Sequence, residues 1–551
     1  MVKINKKTTK KITFLLFLSY FLIGLFTFKD YGISIDEPYQ RFSGFYWLNY
    51  VLSFTPFEEL KNLVSYKLSE IKGFTLASPV DHPYYGVVFD LPVAFFEVIL
   101  KINDPKNYFH FKHFLNFTLF FIGSIFFYKL LLNRFQNYNV SLIGTIFFVL
   151  SPRIYGSSFF NNKDVIFLSL LTIALYYSFK SLDKINYKNL LLFAIFSALC
   201  SAHRILGIFL PVSFIIFYIL SIISNSKNLK NLPLVIFFVI FYFLFLVIFW
   251  PVLWSNPIEN FISAFQYFSD HPLKLQLLFN GKFIFSNLLP YDYIFRWILI
   301  STPMLYIFLF ILGYFQLLKR FFARLSNIKD NMHFDDLWRG NNEKKDLFIL
   351  FNITSTIFYL VVFGIVLYNG WRHTYFVNIF IIYIASYALY TINLNSKLKR
   401  FKNFNFNIIF VCLVFLVYKM IIYHPYQNIY FNSFFNNKAH EKFEVDYWGL
   451  SGKKFLEYII ALEKNKKFIK VGTASFLPLE RSIKLLDLKD REKIMIVGQN
   501  YENADYLYTN FISEVDKNID DKYKIPDNFN IINEFILDNI TVYQVFKKNS
   551  K

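Results

Sequence analysis

Two adjacent carboxylates, Asp36 and Glu37, follow directly after the first long apolar segment of the chain. Paired carboxylates beside a membrane are costly unless they face water, so their position indicates a hydrated cavity with a task in proton transfer or cation binding. The same pair, followed by Pro38, is also typical of a solvated helix start in which Asp36 caps the first turn. The dipeptide alone leaves both interpretations open.

Basic side chains stand where other apolar segments begin or end. Lys163 lies at the start of one segment beside Asp164, a carboxylate that could orient it as a phosphate-binding cation. A lysine near a helix end also commonly extends its ammonium group to the membrane surface, which is the alternative interpretation. Three further cations lie at comparable segment ends, Arg153, Arg204 and Arg372. If the four cations converge on one cavity, they would bind an anionic headgroup such as a phosphate or pyrophosphate.

The chain that carries these residues is too apolar for a string of soluble domains. Hydrophobic residues make up 55% of its 551 residues, charged residues only 17%, and the mean hydropathy is +0.37. Several apolar runs approach the length that crosses a hydrocarbon layer of about 30 Å. The sequence therefore predicts a polytopic α-helical membrane protein. Its predicted spans, eleven in all, lie near 12–28, 113–133, 140–158, 164–180, 189–203, 205–223, 232–253, 294–316, 347–368, 374–394 and 406–423.

The charge distribution predicts how these spans cross the membrane. The net charge is +20, but residues 424–551 carry 19 basic and 18 acidic side chains, so nearly all of the excess lies in the helical part. Short basic loops alternate with long or sparsely basic ones. Under the positive-inside rule this places the N-terminus in the cytoplasm and, with an odd number of spans, the C-terminus outside. The excess of positive charge therefore reflects how the chain crosses the membrane, and the sequence does not predict nucleic-acid binding.

The chain divides into two predicted domains. Residues 1–423 form the transmembrane domain, with large outer loops at 30–112 and 254–293, and residues 424–551 form a small extracytoplasmic α/β domain. The segment at 84–101 is apolar but interrupted by charged residues, which predicts a helix lying in the membrane interface.

The C-terminal domain carries short β signals. The runs that begin at Phe468 and Lys493 read as strands, 452–463 reads as a helix, and 531–546 reads as a hairpin that turns at Asp538-Asn539.

The order of these motifs resembles the membrane glycosyltransferases of the GT-C fold. It is most similar to bacterial members of glycosyltransferase family 39, which are related to protein O-mannosyltransferases and to aminoarabinose transferases acting on lipid A. The resemblance covers essentially the whole chain. The motifs that carry it are Asp36-Glu37, His82-Pro83, Arg153 to Asp164, Trp250-Pro-Val-Leu-Trp254-Ser-Asn256-Pro257, Phe279-Asn280-Gly281-Lys282, Gly370-Trp371-Arg372-His373 and Asp446-Tyr447-Trp448-Gly449-Leu450.

The resemblance implies that a sugar is transferred, with inversion of configuration, from a polyprenyl-phosphate-linked donor to an acceptor hydroxyl. It also implies that the transfer takes place on the extracytoplasmic side of a membrane, which in bacteria is the inner membrane. It implies Asp36 as the base with Glu37 as its partner, and phosphate binding by the four cations and Asp164. The expected partners are that donor, membrane lipids, and a glycolipid, polysaccharide or protein acceptor. Further contacts to donor or acceptor are expected from three residues, His82, Asn162 and His373.

Related enzymes differ in whether they use a divalent metal ion, so the cofactor stays open. Four residues could supply hard oxygen or nitrogen ligands to such an ion, Asp36, Glu37, His82 and Asp164.

Two other functions compete with glycosyl transfer. A polymerase or ligase of surface polysaccharide would also have large outer loops, and only the series of motifs that begins with Asp36-Glu37 separates it from the favoured interpretation. A flippase or transporter of lipid-linked sugars would show inverted repeats and charges in broken helices at the membrane midplane. Here the halves are dissimilar and the charges lie at outer helix ends, which favours the enzyme. The sequence does not determine the sugar or the acceptor.

Overall fold

The computed structural model describes residues 6–71, 78–270, 275–326, 337–394, 402–435, 437–512 and 522–549. Its helical part contains α1 (Lys6–Thr27), α2 (Glu37–Leu52), α3 (Glu58–Ile71), α4 (Asp90–Ile99), α5 (Pro105–Phe135), α6 (Tyr138–Val149), α7 (Pro152–Phe160), α8 (Asp164–Asp183), α9 (Tyr187–His203), α10 (Phe209–Ser224), α11 (Leu232–Phe249), α12 (Pro257–Ser269), α13 (Tyr293–Ser301), α14 (Met304–Ser326), α15 (Gly340–Val362), α16 (Val377–Leu394) and α17 (Lys402–Ile422).

A polytopic helical membrane protein is confirmed, but the count of eleven spans is not reached. Within the described ranges, seven helices are long and apolar enough to cross a membrane, or up to eight if the bent pair α6 and α7 forms one span. The predicted span 140–158 breaks before Pro152 with a 62° bend, and 294–316 breaks at Thr302-Pro303. Proline has no N–H to donate and clashes with the preceding turn, which ends both helices. The apolar part of α16, Val377–Ile392, and that of α17, Asn407–Ile422, are each shorter than 18 residues, and α9 has 17 residues.

The bundle is built around α8. Of the most apolar 18 residues of this helix, 83% are buried, whereas only 22% are buried in α1 and in the span Ser226–Phe249, which contains α11. Its polar side chains bond back to their own helix: Ser169 donates to the carbonyl of Val165 and Thr172 to that of Leu168, both at 2.8 Å. Polar groups satisfied in this way can be buried among apolar neighbours. Helix α8 packs against α5 on one side and α9 on another.

A buried ionic cluster joins four helices at one end of the bundle. Arg134 of α5 donates to both carboxylate oxygens of Asp346 of α15, at 2.7 and 2.6 Å. Arg320 of α14 and the hydroxyl of Tyr383 of α16 reach the same carboxylate at 3.0 and 2.7 Å. On α5, Arg134 lies about six turns, roughly 30 Å, from His113 near the other end of the helix. This cluster therefore joins the helices at the end of the bundle that is distant from His113.

The predicted elements of the C-terminal segment are present. It contains helices α18 (Ala439–Lys442), α19 (Gly452–Leu462), α20 (Glu480–Ile483) and α21 (Leu488–Arg491) and strands β3 (Ile469–Thr473), β4 (Ile494–Gly498), β5 (Tyr506–Thr509), β6 (Phe529–Leu537) and β7 (Ile540–Lys548). The sheet has the order β4-β3-β5-β7-β6, with β3 parallel to β4 and β5, and β7 antiparallel to β5 and β6. The hairpin turns at Asp538 (φ 48°) and Asn539 (φ 68°), residue types that tolerate the left-handed conformation that a tight hairpin requires.

The loop 254–293 folds into α12 and a short hairpin of β1 (Gln276–Phe279) and β2 (Lys282–Phe285). The hairpin turns at Asn280 and Gly281, both at positive φ, and the Gly281 N–H donates to the carbonyl of Lys442 at 3.0 Å. Phe279 forms a β-bridge with Phe443. The hairpin thus docks on the segment that leads into the C-terminal sheet.

The predicted interfacial segment forms α4, and its charged residues face protein rather than water. Glu97 is 3% exposed and binds Arg41 of α2, whose Nε lies 3.0 Å from its carboxylate. Asp90 is also buried. The exposed apolar residues Phe96 and Ile99 lie on the outer face of the same helix.

Candidate active site

Asp36 lies where the exit loop, residues 31–36, enters α2. Its Oδ2 forms an ion pair with Nη1 of Arg372 at 2.6 Å, and Oδ1 has no hydrogen-bond partner among the described residues. The Asp36 side chain is 32% exposed, whereas that of Arg372 is 6% exposed. The carboxylate is therefore held on one oxygen by a buried cation and open to a ligand on the other.

Glu37 points away from its neighbour. Its side chain is fully buried, Oε2 accepts the N–H of Ser34 at 2.6 Å, and Oε1 lies 2.9 Å from Nε2 of His113. Consecutive helical residues differ in direction by about 100°, so adjacent carboxylates at a helix start face different surroundings. The two carboxylates have separate partners, and Glu37 anchors the exit loop to α5.

A second buried carboxylate, Asp90, holds two lysines. Its Oδ2 lies 3.3 Å from Nζ of Lys163 and its Oδ1 lies 3.6 Å from Nζ of Lys112. Asn162 donates to Asp90, and Lys163 also donates to the carbonyl of Gly86. Asp90 is one of the charged residues that interrupt the apolar segment 84–101. A charged residue in such a segment is itself a functional signal, and it applies to Asp90 and Lys112 alike.

Asp164 orients Arg204 rather than Lys163, which corrects the expectation from their adjacency. Its Oδ1 forms an ion pair with Nη2 of Arg204, and its Oδ2 accepts from Nδ2 of Asn161 at 2.8 Å. The Asp164 N–H donates back to Asn161 Oδ1 at 3.0 Å. This reciprocal pair closes the first turn of α8 and directs the carboxylate away from Lys163.

The cationic groups are electrostatic neighbours. Arg372 interacts with the carboxylate of Asp164 as well as with that of Asp36, and Lys163 interacts with Arg204. The structure thus brings together three of the four predicted cations. The basic side chains in this cluster outnumber the acidic ones: they are Lys112, Lys163, Arg204 and Arg372 against Asp36, Asp90 and Asp164.

Aromatic rings line this cluster and connect the predicted histidines to it. The Nδ1 atom of His82 lies 2.5 Å from the hydroxyl of Tyr267. Tyr85 packs beside both rings, with its centroid 6.3 Å from that of His82 and 6.4 Å from that of Tyr267. The ring of His373 packs edge-on to Tyr368 at 4.5 Å. Both histidines therefore lie at the rim of the cluster rather than among its charges.

Arg153 differs from the other predicted cations in that it forms no ion pair among the described residues, although Tyr447 interacts with both Arg153 and Arg372. Its guanidinium packs against the rings of Trp297 and Phe431, at 5.1 and 4.6 Å, and Nε donates to the carbonyl of Tyr430 at 2.9 Å. The residue is 1% exposed, and Nη1 and Nη2 have no hydrogen-bond partner among the described residues. Its placement is that of a buried support for the aromatic packing beside the cluster.

The C-terminal segment completes the site through the Asp446–Leu450 turn. The Trp448 ring lies 4.6 Å from the guanidinium of Arg372, and the Trp448 carbonyl accepts the N–H of Ile35 at 3.1 Å. Asp446 fixes this turn by accepting from the N–H and hydroxyl of Ser451, at 3.0 and 2.6 Å. Burial raises the pKa of Asp446, and these bonds from Ser451 act in the opposite direction.

Glu444 is a titratable group close to this turn. It is buried, and burial raises its pKa to about 8 against opposing effects of a hydrogen bond with Asn369 and the charge of Arg372. No sequence motif singled it out, because a lone glutamate in a charged segment carries no local signal of burial.

The four proposed metal ligands do not form one site. Asp36 is paired with Arg372, Asp164 with Arg204, Glu37 with His113, and His82 with Tyr267. In the part of the chain that the structure describes, no group of three or more histidine, cysteine or acidic side chains could hold a metal ion. Each of these carboxylates already binds a basic side chain of the protein, so together they do not form a binding site for a divalent ion.

Comparisons with known proteins give one family match, which covers part of the chain. No curated protein matches the chain. Among solved structures, the crystal structure of ArnT from Cupriavidus metallidurans bound to undecaprenyl phosphate is weakly similar, with a TM-score of 0.41 and 9% identity over 97% of each chain. Residues 113–254 match the family described as dolichyl-phosphate-mannose-protein mannosyltransferase. The predicted resemblance to membrane glycosyltransferases of this GT-C family is therefore confirmed through residues 113–254.

Proposed function

We propose that the protein is an inverting glycosyltransferase that moves a sugar from a polyprenyl-phosphate carrier to an acceptor hydroxyl. The observation that carries the proposal is the partly exposed Asp36 carboxylate beside a cluster with more basic than acidic side chains. A phosphate needs that excess of positive charge, and an acceptor hydroxyl needs a base within reach. The family match over residues 113–254 includes Lys163 and Arg204 and supports the same reaction.

In the proposed reaction the free Oδ1 of Asp36 takes the proton of the acceptor hydroxyl. The hydroxyl oxygen attacks the anomeric carbon on the face opposite the phosphate, the bond between that carbon and the phosphate oxygen breaks, and configuration inverts. The carrier leaves as a phosphate anion. It needs no proton, only charge stabilisation by Lys163, Arg204 and Arg372.

The ion pair of Asp36 with Arg372 gives the proposed site an order of events. A donor phosphate competes with the Asp36 carboxylate for the Arg372 guanidinium, because both are anions that suit the same fork of N–H donors. Donor binding would therefore release the carboxylate from the arginine, so that both of its oxygens can face the acceptor hydroxyl. In this order the donor binds before the acceptor hydroxyl is deprotonated.

We also propose that this end of the bundle faces the extracytoplasmic side. The basic loops at 180–188 and 227–230 lie near the opposite end, where Lys345 binds Asp183 at 2.6 Å close to the Arg134–Asp346 cluster. A reporter enzyme fused after residue 430 should be active outside the cytoplasm. Activity of that fusion inside the cytoplasm would contradict the orientation and the side assigned to the reaction.

The reaction is tested with purified full-length protein in lipid nanodiscs. A panel of short-chain polyprenyl-phosphate sugars, radiolabelled in the sugar, is offered with envelope extract from a strain that lacks the gene. We expect label to pass from one donor to an acceptor, with loss of transfer in Lys163→Gln and no loss in Lys106→Gln, a lysine that pairs with the exposed Asp487.

Three outcomes would contradict the proposal. Transfer from nucleotide sugars alone would exclude a lipid-linked donor. Movement of intact donor across a vesicle membrane without a new glycosidic bond would indicate a flippase. Transfer of preassembled glycan blocks instead of a single sugar would indicate a polysaccharide polymerase or ligase. Intact-mass analysis of glycolipids and envelope glycoproteins with and without the gene then identifies the acceptor.

A further inference from the structure

One buried arginine connects the C-terminal domain to the exit loop. Arg481 of α20 donates from Nε to the carbonyl of Ile33 at 3.2 Å and from Nη2 to the carbonyl of Trp448 at 3.4 Å. The residue is 5% exposed. One guanidinium therefore joins two chain segments that are more than 400 residues apart in the sequence.

These contacts form a continuous path to Asp36. The Trp448 carbonyl that accepts from Arg481 also accepts the N–H of Ile35 at 3.1 Å. The Trp448 ring lies on the guanidinium of Arg372, which binds Asp36 at 2.6 Å. The exit loop and the cation that pairs with its carboxylate are thus both held by the turn to which Arg481 is bonded.

The exit loop depends on such external contacts. Residues 32–34 have no regular secondary structure, so no helix or sheet ladder fixes their carbonyl groups. A Cβ on Gly32 would come within 2.5 Å of the Leu450 carbonyl oxygen, which shows how closely the loop is applied to the C-terminal turn. Asp36 follows directly, so its position depends on this contact.

Stability alone gives a poor account of a buried arginine in this place. Burial lowers the pKa of Arg481, and the nearby Tyr508, Asp446 and Asp36 only oppose that effect. Among the described residues Arg481 has no ion-pair partner within 4.0 Å, and its Nη1 has no hydrogen-bond partner. Burying a charge without an ion pair costs free energy. The hydrogen bonds from Arg481 to the exit loop and to the turn are therefore the better explanation of its presence.

We propose that Arg481 is a positioning residue for the Asp36 carboxylate. This role rests on the proposed function, in which Asp36 removes the proton of the acceptor. Arg481 touches neither donor nor acceptor. It holds the Ile33 and Trp448 carbonyls in register, and thereby fixes where the carboxylate lies relative to Arg372.

The test uses Arg481→Gln in the full-length protein with two readouts. Hydrogen exchange of peptides covering residues 31–37 reports on the loop without requiring any activity, and we expect faster exchange in the variant. With donor and acceptor, we expect kcat to fall on the order of 100-fold with little change in donor KM, because displacement of a catalytic group by about 1 Å has an effect of that size.

Three further variants separate positioning from a general loss of structure. Arg491→Gln is the matched control, since Arg491 joins the same domain to Asp104 at 3.0 Å without touching the exit loop, and it should change neither readout. Arg481→Lys keeps the charge and one donor and should restore part of kcat. Gly449→Ala leaves Arg481 in the sequence but places a methyl group where its Nη2 lies and also strains the turn, because Gly449 has φ 68°; it should speed exchange of the loop at least as much as Arg481→Gln does.

The outcomes distinguish this inference from the proposed function. If exchange of residues 31–37 is unchanged in Arg481→Gln or Gly449→Ala, Arg481 does not position the loop and the inference is wrong. A faster-exchanging loop with wild-type kcat also overturns it. If the wild-type protein transfers no sugar from lipid-linked donors, the proposed function fails, and the exchange result still decides whether Arg481 holds the loop.

Discussion

Replacing Asp36 with asparagine tests the base and its ion pair at once. Asparagine keeps the size of the side chain and one acceptor oxygen but has no basic oxygen. Removal of a positioned general base lowers the rate by about 10²–10⁴-fold, equivalent to about 3–5 kcal/mol in the activation barrier. The same substitution leaves Arg372, which is 6% exposed, without its counter-charge.

The stability cost of that loss can be estimated from the structure. Breaking a fully buried ion pair costs about 3–5 kcal/mol. Here Asp36 is 32% exposed, the asparagine oxygen still accepts from Arg372, and the rings of Tyr368 and Trp448 remain 4.8 and 4.6 Å from its guanidinium carbon. Each cation–π contact contributes about 0.5–2 kcal/mol. We therefore expect Asp36→Asn to lower the free energy of unfolding by only about 1–2 kcal/mol.

Single-turnover transfer at saturating donor measures the chemical step, and a separate titration with polyprenyl phosphate measures donor affinity. We expect the single-turnover rate to fall 10²–10⁴-fold. Donor affinity should be unchanged or higher, because the phosphate no longer competes with a carboxylate for Arg372. Asp30→Asn is the matched control, since Asp30 lies just before the exit loop and pairs with His424 at 2.8 Å. A normal single-turnover rate in Asp36→Asn would refute the base assignment, and weaker donor binding would refute the competition.

Three other substitutions test separate parts of the structure. Glu37→Gln should lower the melting temperature but reduce turnover much less than Asp36→Asn, because its carboxylate is buried against His113; equal loss of turnover would contradict this separation. Arg134→Gln should destabilise the fold by about 3 kcal/mol by breaking its bidentate pair with Asp346, while the folded fraction keeps its turnover rate. Because burial raises the pKa of Glu444 to about 8, the folded state holds a proton that the unfolded chain releases near pH 4.5, so thermal stability should fall between pH 5 and 8, and Glu444→Gln should flatten that slope.

Local patterns in the sequence predicted the elements of this protein well. Apolar runs located the helices, and the Asp538-Asn539 pair located the hairpin turn of the C-terminal sheet. These features depend on residues close together in the chain. The breaks before Pro152 and at Pro303 were missed because hydropathy does not change there, although proline itself carried the signal.

The partners within the site could not be predicted in the same way. Adjacency suggested that Asp164 orients Lys163, but Asp164 binds Arg204, and Lys163 binds Asp90 from a different loop. Arg153 looks like the other cations in sequence, but it is buried against two aromatic rings and forms no ion pair among the described residues. Ion pairing is decided by which helix ends meet in three dimensions, and a single sequence contains no direct record of that.

The bond between Arg481 and the Ile33 carbonyl spans 448 residues, which has a consequence for biogenesis. A ribosome delivers the exit loop first and Arg481 only near the end of synthesis, at about 5–20 residues per second. Until then the Asp446–Leu450 turn, which holds both the exit loop and Arg372, is not in place beside Asp36. A newly made chain therefore acquires an assembled site only after its last segment has folded, and under the proposed function we expect truncated chains left in the membrane to be inert.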